Sequence, residues 1–173
     1  MSNIFDMYIH EAYKPKGLIN GVNYTQIRKD GKNYRVKLPD DIKKEATEGT
    51  KFVISKLSEL QKSTEFKNIV KNLKPEGTTS LISRQDKTVH AFNGYWVYAI
   101  EITSDISQDT YFREDENGNA LYKLVYKLFE SIRKDKKLTS LPHFYFISTG
   151  DDYYGIDMMF KICKEGEEEL VEL

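Results

Sequence analysis

Asn117-Gly118-Asn119-Ala120-Leu121-Tyr122-Lys123-Leu124-Val125-Tyr126-Lys127-Leu128-Phe129-Glu130-Ser131-Ile132-Arg133-Lys134-Asp135-Lys136-Lys137 is the stretch whose reading decides the fold. Leu121, Leu124, Val125, Leu128, Phe129 and Ile132 follow the i, i+3, i+4, i+7, i+8, i+11 series of one buried helical face. Lys123, Lys127, Glu130, Arg133 and Lys134 fall on the wet face. Asn119 is the predicted N-cap, and the basic residues from Arg133 to Lys137 complement the negative C-terminal end of the helix dipole. A helix striped in this way needs a sheet to lie on, and the segments on both sides of it read as strands.

Before it, the period is two. Thr78 to Ser83, Thr88 to Phe92 and Tyr95 to Thr103 are separated by Arg84-Gln85-Asp86-Lys87 and Asn93-Gly94, which predicts a three-stranded antiparallel meander. Trp96, Tyr98, Ile100 and Ile102 share one face of its last strand and Tyr95, Val97, Ala99 and Glu101 the other, so that strand is central. After the helix, Phe144 to Thr149 and Tyr153 to Cys163 bracket Gly150-Asp151-Asp152 as a C-terminal hairpin. Residues 165–173 read as a loose acidic tail.

Further back, Val22 to Ile27 and Tyr34 to Leu38 flank Lys29-Asp30-Gly31-Lys32, a second hairpin with one wet face. Pro39-Asp40-Asp41 opens a helix with Ile42, Ala46, Val53, Leu57 and Leu60 on one stripe and Gly49 as its weak point. Ser63 can cap a continuation through Phe66, Ile69, Val70 and Leu73, either as one bent helix or as two in succession. Ile4, Met7, Tyr8 and Ile9 suggest a short helix ended at Lys14-Pro15-Lys16-Gly17. The expected architecture is one α+β domain over residues 1–173, a mostly antiparallel sheet packed by two main helical segments.

Composition narrows the function classes. The chain has 173 residues, enough for one core, and its 26 Lys and Arg balance 27 Asp and Glu. No bulk field attracts nucleic acid or an anionic membrane, so both are disfavoured as partners. No apolar run approaches the roughly 18 residues of a membrane span, and Met1-Ser2-Asn3-Ile4-Phe5-Asp6 lacks the order of a secretion signal, which predicts a cytoplasmic protein. Cys163 is the single cysteine, excluding an intrachain disulfide. Twelve Tyr, nine Phe and one Trp suit pleated sheet and also contact surfaces.

The motifs of catalysis are incomplete. Pro39-Asp40 and Glu65-Phe66-Lys67 mimic a metal-dependent nuclease pattern, but fall on helices rather than paired strands. Asp115, Asn117 and Gly118 resemble part of a calcium loop whose first and twelfth positions would be Arg113 and Leu124, which lack carboxylates. His10, His90 and His143 have no metal-ligand spacing, and the last two read as partly exposed strand histidines. There is no Gly-x-Ser-x-Gly turn and no glycine-rich phosphate loop. No cofactor, metal or catalytic residue is expected. What remains is Asp151, Asp152, Tyr153 and Tyr154, aromatic anchors beside acids at a hairpin tip, extended by Glu114, Asp115 and Glu116 into a negative patch for a basic protein partner.

Residues 121–160 resemble the YezG-like family of small cytosolic immunity proteins that neutralise secreted nuclease toxins. The resemblance rests on Leu121-Tyr122-Lys123-Leu124, Leu128-Phe129 and Ile132-Arg133, a lysine-rich exit, Thr139-Ser140, and an aromatic hairpin closing on Gly155-Ile156-Asp157. Leu138-Thr139-Ser140-Leu141-Pro142 stands where that family's Pro-Trp-Thr is expected, and the front half of the chain does not match. The resemblance implies a non-enzymatic inhibitor that occludes a toxin. Two alternatives stand beside it: a phage or mobile-element inhibitor of a host defence effector such as a CRISPR enzyme, and an enzyme whose site assembles only in three dimensions.

Overall fold

A strand with apolar side chains toward both faces needs cover above and below, and Tyr95–Thr103 is such a strand. The computed structural model describes residues 22–24, 26–73, 80–106, 116–148 and 155–173. In chain order they form β1 (Val22–Tyr24), β2 (Ile27–Lys29), β3 (Lys32–Val36), α1 (Asp40–Lys62), α2 (Thr64–Leu73), β4 (Arg84–Phe92), β5 (Tyr95–Thr103), α3 (Glu116–Lys134), α4 (Lys136–Thr139), β6 (Phe144–Ser148), β7 (Gly155–Lys164) and β8 (Leu170–Glu172). The fold is α+β. Strand β5 lies third in a five-stranded sheet of order β1-β4-β5-β7-β6, and a three-stranded sheet has the order β2-β3-β8. Both are antiparallel apart from the short β1, which runs parallel to β4. No helix among the described residues is long and apolar enough to cross a membrane.

The helices cover one face of the large sheet. Trp96, Tyr98, Ile100 and Ile102 of β5 join Ile156, Met158 and Phe160 of β7 in the main core, against Ile42, Ala46, Val53 and Leu57 of α1 and Leu121, Val125, Phe129 and Ile132 of α3. Each Val, Leu, Ile, Phe or Met side chain among them contributes about 1.5–3 kcal/mol when fully withdrawn from water. The predicted periodicity of α3 therefore holds, but the helix opens at Glu116, which leaves Asn119 inside it rather than at its cap. Its lysine-rich exit is cut at Asp135, whose carboxylate accepts from the Lys137 amide at 2.9 Å and starts the single turn α4. Ser63 resolves the choice left open between one helix and two: it takes extended backbone, and its Oγ accepts from the Phe66 amide at 3.2 Å.

Gly49, the weak point of α1 in helix propensity, is also where the helix packs tightly on its neighbours. A Cβ there would stand 3.2 Å from both Leu138 Cδ2 and Phe160 Cζ, so the absence of a side chain lets α1, α4 and β7 meet. Turn chemistry fixes both short hairpins. Asp30 and Gly31 between β2 and β3, and Asn93 and Gly94 between β4 and β5, all have positive φ, as two-residue turns between right-twisted strands require.

Three further expectations are corrected. The meander is a hairpin: Arg84-Gln85-Asp86-Lys87, read as a turn, is the first half of β4, in register from Arg84↔Thr103 to Phe92↔Tyr95. Its polar residues are compatible with a strand because Asp86, buried, pairs with Arg84 Nε at 2.9 Å. Residues 80–83 are not a strand; Leu81 is buried, and its amide donates to Gln61 Oε1 of α1 at 2.7 Å. Residues 78–79 lie outside the described residues, as do residues 1–21 with their expected short helix. Val22–Tyr24, expected in the first hairpin, instead pairs with Lys87–Val89 of the large sheet. The tail expected to be loose supplies β8, whose Leu170, Val171 and Glu172 pair with Val36, Arg35 and Tyr34.

Two outcomes test this architecture. Gly49→Leu forces a branched side chain between Leu138 and Phe160 and lowers unfolding free energy by about 2 kcal/mol in a urea titration, while Gly49→Ala, which gains helix propensity, stays near neutral. Truncation after Glu169 strips the third strand from the small sheet. The remaining two-stranded hairpin is marginal in isolation, so the amides of β2 and β3 exchange at least about tenfold faster by hydrogen exchange.

Candidate functional site

The end of β7 near Lys164 gathers more unusual chemistry than any other part of the described residues. Two irregularities put it there. Between Trp96 and Val97 of β5 the register with β7 shifts, Trp96 facing Cys163 and Val97 facing Lys161, so Ile162 is an extra residue. On the other side Phe144 faces Phe160 and Phe146 faces Met159, leaving Tyr145 as the extra residue in β6. Bulges re-aim side chains at the ends of strands. Here they bring Lys161 over two rings: its Nζ lies 4.0 Å from the Tyr95 centroid and 4.3 Å from that of Tyr145. The two rings are 5.8 Å apart and tilted by 60°, and Phe92 meets Tyr145 edge-on at 6.1 Å. Each cation–π contact contributes about 0.5–2 kcal/mol. The rings are thereby held in one arrangement although half-exposed.

On the other side of the same strand end lies the start of α1. Asp41 and Glu45, four residues apart, occupy one helical face. The Lys161 amide donates to the His143 carbonyl at 2.8 Å, which anchors the loop before β6 and presents His143 to that face. The His143 amide donates to Glu45 Oε1 at 2.8 Å, and its ring Nδ1 is hydrogen-bonded to Glu45 Oε2. An ionised carboxylate only accepts, so that contact places a ring proton on Nδ1. Nε2 then faces Asp41, 3.9 Å from Oδ2. Glu45 is nearly enclosed, its side chain 12% exposed, while His143 at 35% and Asp41 at 66% reach solvent.

Where the start of α1 meets the end of β7 there is a groove of about 470 Å³ lined by Lys37, Leu38, Asp40, Cys163, Glu167 and Glu169. The Lys37 amide donates to the Glu169 carbonyl at 2.8 Å, and their side chains pair at 3.4 Å, both exposed. Burial, and then the nearby Glu168 and Glu167, push the Cys163 thiol above its ordinary value, which disfavours the thiolate.

A second polar feature lies on the sheet face away from the main helical core. Asp86, Glu101 and Asp157 are register partners on β4, β5 and β7, with Ser148 of β6 opposite Asp157. Like charges directly opposite destabilise a sheet unless cations compensate, and Arg84 does so for Asp86. On the same face His90 is buried rather than partly exposed, and burial lowers its pKa to about 4.

The residues singled out from sequence are not the ones gathered here. Asp151, Asp152, Tyr153, Tyr154, Glu114 and Asp115 lie outside the described residues. Glu116 is exposed in the first turn of α3. Ser148 and Gly155, which flank residues 149–154, stand at the opposite end of the sheet from Lys164. Asp40 opens α1 and Glu65 and Lys67 belong to α2, so the nuclease-like pattern falls on helices as expected. Sequence reading missed Tyr95, Tyr145 and Lys161 because bulges, not alternation, unite them. It missed His143 with Asp41 and Glu45 because only the helical spacing of the two acids is local. Neither family models, nor curated proteins, nor solved structures give a match to this chain.

The buried His90 makes stability depend on pH. Its folded pKa lies below the unfolded value of 6.5, so the unfolded chain binds the proton first. Its contribution is intact above about pH 6.5, and about 3 kcal/mol is lost as the pH falls toward about 4. Urea unfolding across that range shows the slope, and His90→Leu flattens it.

Proposed function

We propose that this chain is a non-enzymatic, protein-binding inhibitor of immunity-protein or antitoxin type that occludes the active surface of its partner. The observation that carries the reading is the preorganised cluster of Tyr95, Tyr145 and Lys161 beside the acidic run Glu165 to Glu169 at one end of the molecule. Aromatic side chains already fixed in the free protein lose little entropy on docking and make effective anchors. The glutamates that follow β7 raise the rate of encounter with a basic surface.

A protein that handles nucleic acid has such a surface, because its working face must attract phosphates. The resemblance of residues 121–160 to YezG-like immunity proteins supports the same partner class, a nuclease toxin met in the cytoplasm. A defence effector inhibited by a phage or mobile-element protein would present the same basic face, and neighbouring genes for a secreted toxin or for phage structural proteins separate the two settings. A second reading, an enzyme with a site assembled in three dimensions, draws on the register of Asp86, Glu101 and Asp157 across three strands.

The test is affinity capture on the full chain followed by an assay of the captured protein. The expected result is a partner whose activity falls on adding this chain. Tyr145→Ala weakens the complex roughly thirtyfold, the loss of one aromatic anchor. Replacing Glu167, Glu168 and Glu169 together by Lys slows association and inverts its salt dependence. If no protein is retained, and the purified chain turns over a substrate that it loses the ability to convert as Asp157→Asn, the enzyme reading replaces this one.

A further inference from the structure

We propose that Asp41, Glu45 and His143 form a binding site for a divalent first-row transition metal, zinc in the first instance. The three residues each offer one donor atom, and the donors lie within 4.8 Å of one another. The His143 imidazole and the Asp41 carboxylate make an N/O donor pair of the kind zinc takes at about 2.0–2.2 Å, with Glu45 as the carboxylate behind the ring. The inference is independent of the inhibitor reading.

The hydrogen bonds assign the roles. Glu45 holds His143 twice, through the backbone amide and through Nδ1, which fixes both the ring orientation and the tautomer. A carboxylate behind a histidine in this way also makes the other ring nitrogen a better ligand. That nitrogen, Nε2, points at Asp41 Oδ2 across 3.9 Å. With the proton on Nδ1 both facing atoms are acceptors, an arrangement that a cation or a hydrogen-bond donor between them makes favourable. A metal ion bound by Nε2 and Oδ2 is such a cation, and the exposure of Asp41 leaves its remaining positions open to water. The N-terminal end of α1 opposes a cation with about half a charge, which the two carboxylates outweigh.

A competing arrangement satisfies the same geometry: a doubly protonated His143 bridging Glu45 and Asp41 with no metal. The experiment separates them. Tag-free protein, stripped with chelator, is titrated with Co²⁺ while the visible spectrum is followed, and with Zn²⁺ while thermal unfolding is followed. The expected result is one equivalent of Co²⁺ with a visible band, and a midpoint raised by about 5–10 °C at a hundredfold excess of Zn²⁺ over its Kd. His143→Ala abolishes both signals. Asp41→Asn changes an exposed side chain, so the fold is kept, and it weakens binding at least about tenfold; Glu45→Gln does so about 10–100-fold by freeing the ring. His10→Ala and Cys163→Ser leave binding intact. Absence of both signals in the parent protein, or a signal that survives His143→Ala or is lost with His10→Ala, overturns the site.

Discussion

Strand β5 cannot be wetted on either face, and the rest of the molecule is arranged around that constraint. Helices α1 and α3 cover Trp96, Tyr98, Ile100 and Ile102, while Val97 and Ala99 on the reverse side pack with Phe92 and Met159 in a second, smaller cluster. A strand buried on both sides needs hydrogen-bonded neighbours on both edges, and β4 and β7 run along nearly its whole length. Polar groups carried into such a sheet sit in a poor solvent. That is why His90 resists protonation and why the carboxylate of Asp86 is held against Arg84.

The same constraint explains where the candidate chemistry lies. Within the regular part of β5 most side chains are buried in one or the other packed face. At the Lys164 end the two bulges release Tyr145 and Ile162 from the alternation, and side chains there are free to be aimed. An amine between two phenol rings and an imidazole between two carboxylates then face opposite sides of one strand. They are joined through the bond from the Lys161 amide to the His143 carbonyl.

What could be read in the amino-acid sequence was what local periodicity encodes. The stripe of α3, the boundary at Ser63 and the turn at Asn93-Gly94 depend on residues within a few positions of one another, and all three are present. The first half of β4 was illegible because Arg84-Gln85-Asp86-Lys87 has the composition of a turn and becomes a strand through pairing with residues 100–103. Likewise the run of glutamates after Cys163 has the composition of a solvated tail, and what orders Leu170–Glu172 is an edge of β3 far away in the chain. The site suffered most. Asp41 and Glu45 are legible as one helical face, but His143, 98 positions from Glu45, reaches them through tertiary structure alone.

The pairing of β3 with β8 also bears on the order of assembly. Lys37 and Glu169, beside that ladder, are 132 residues apart, so closing it requires a long loop to be brought together. During synthesis the β2–β3 hairpin leaves the ribosome long before its third strand does, and it has an open edge for all of that interval. Lys32 and Lys37, exposed along it, are the kind of charge that disfavours pairing of an open edge with other chains, and in the folded ladder they stand against Glu172 and Glu169.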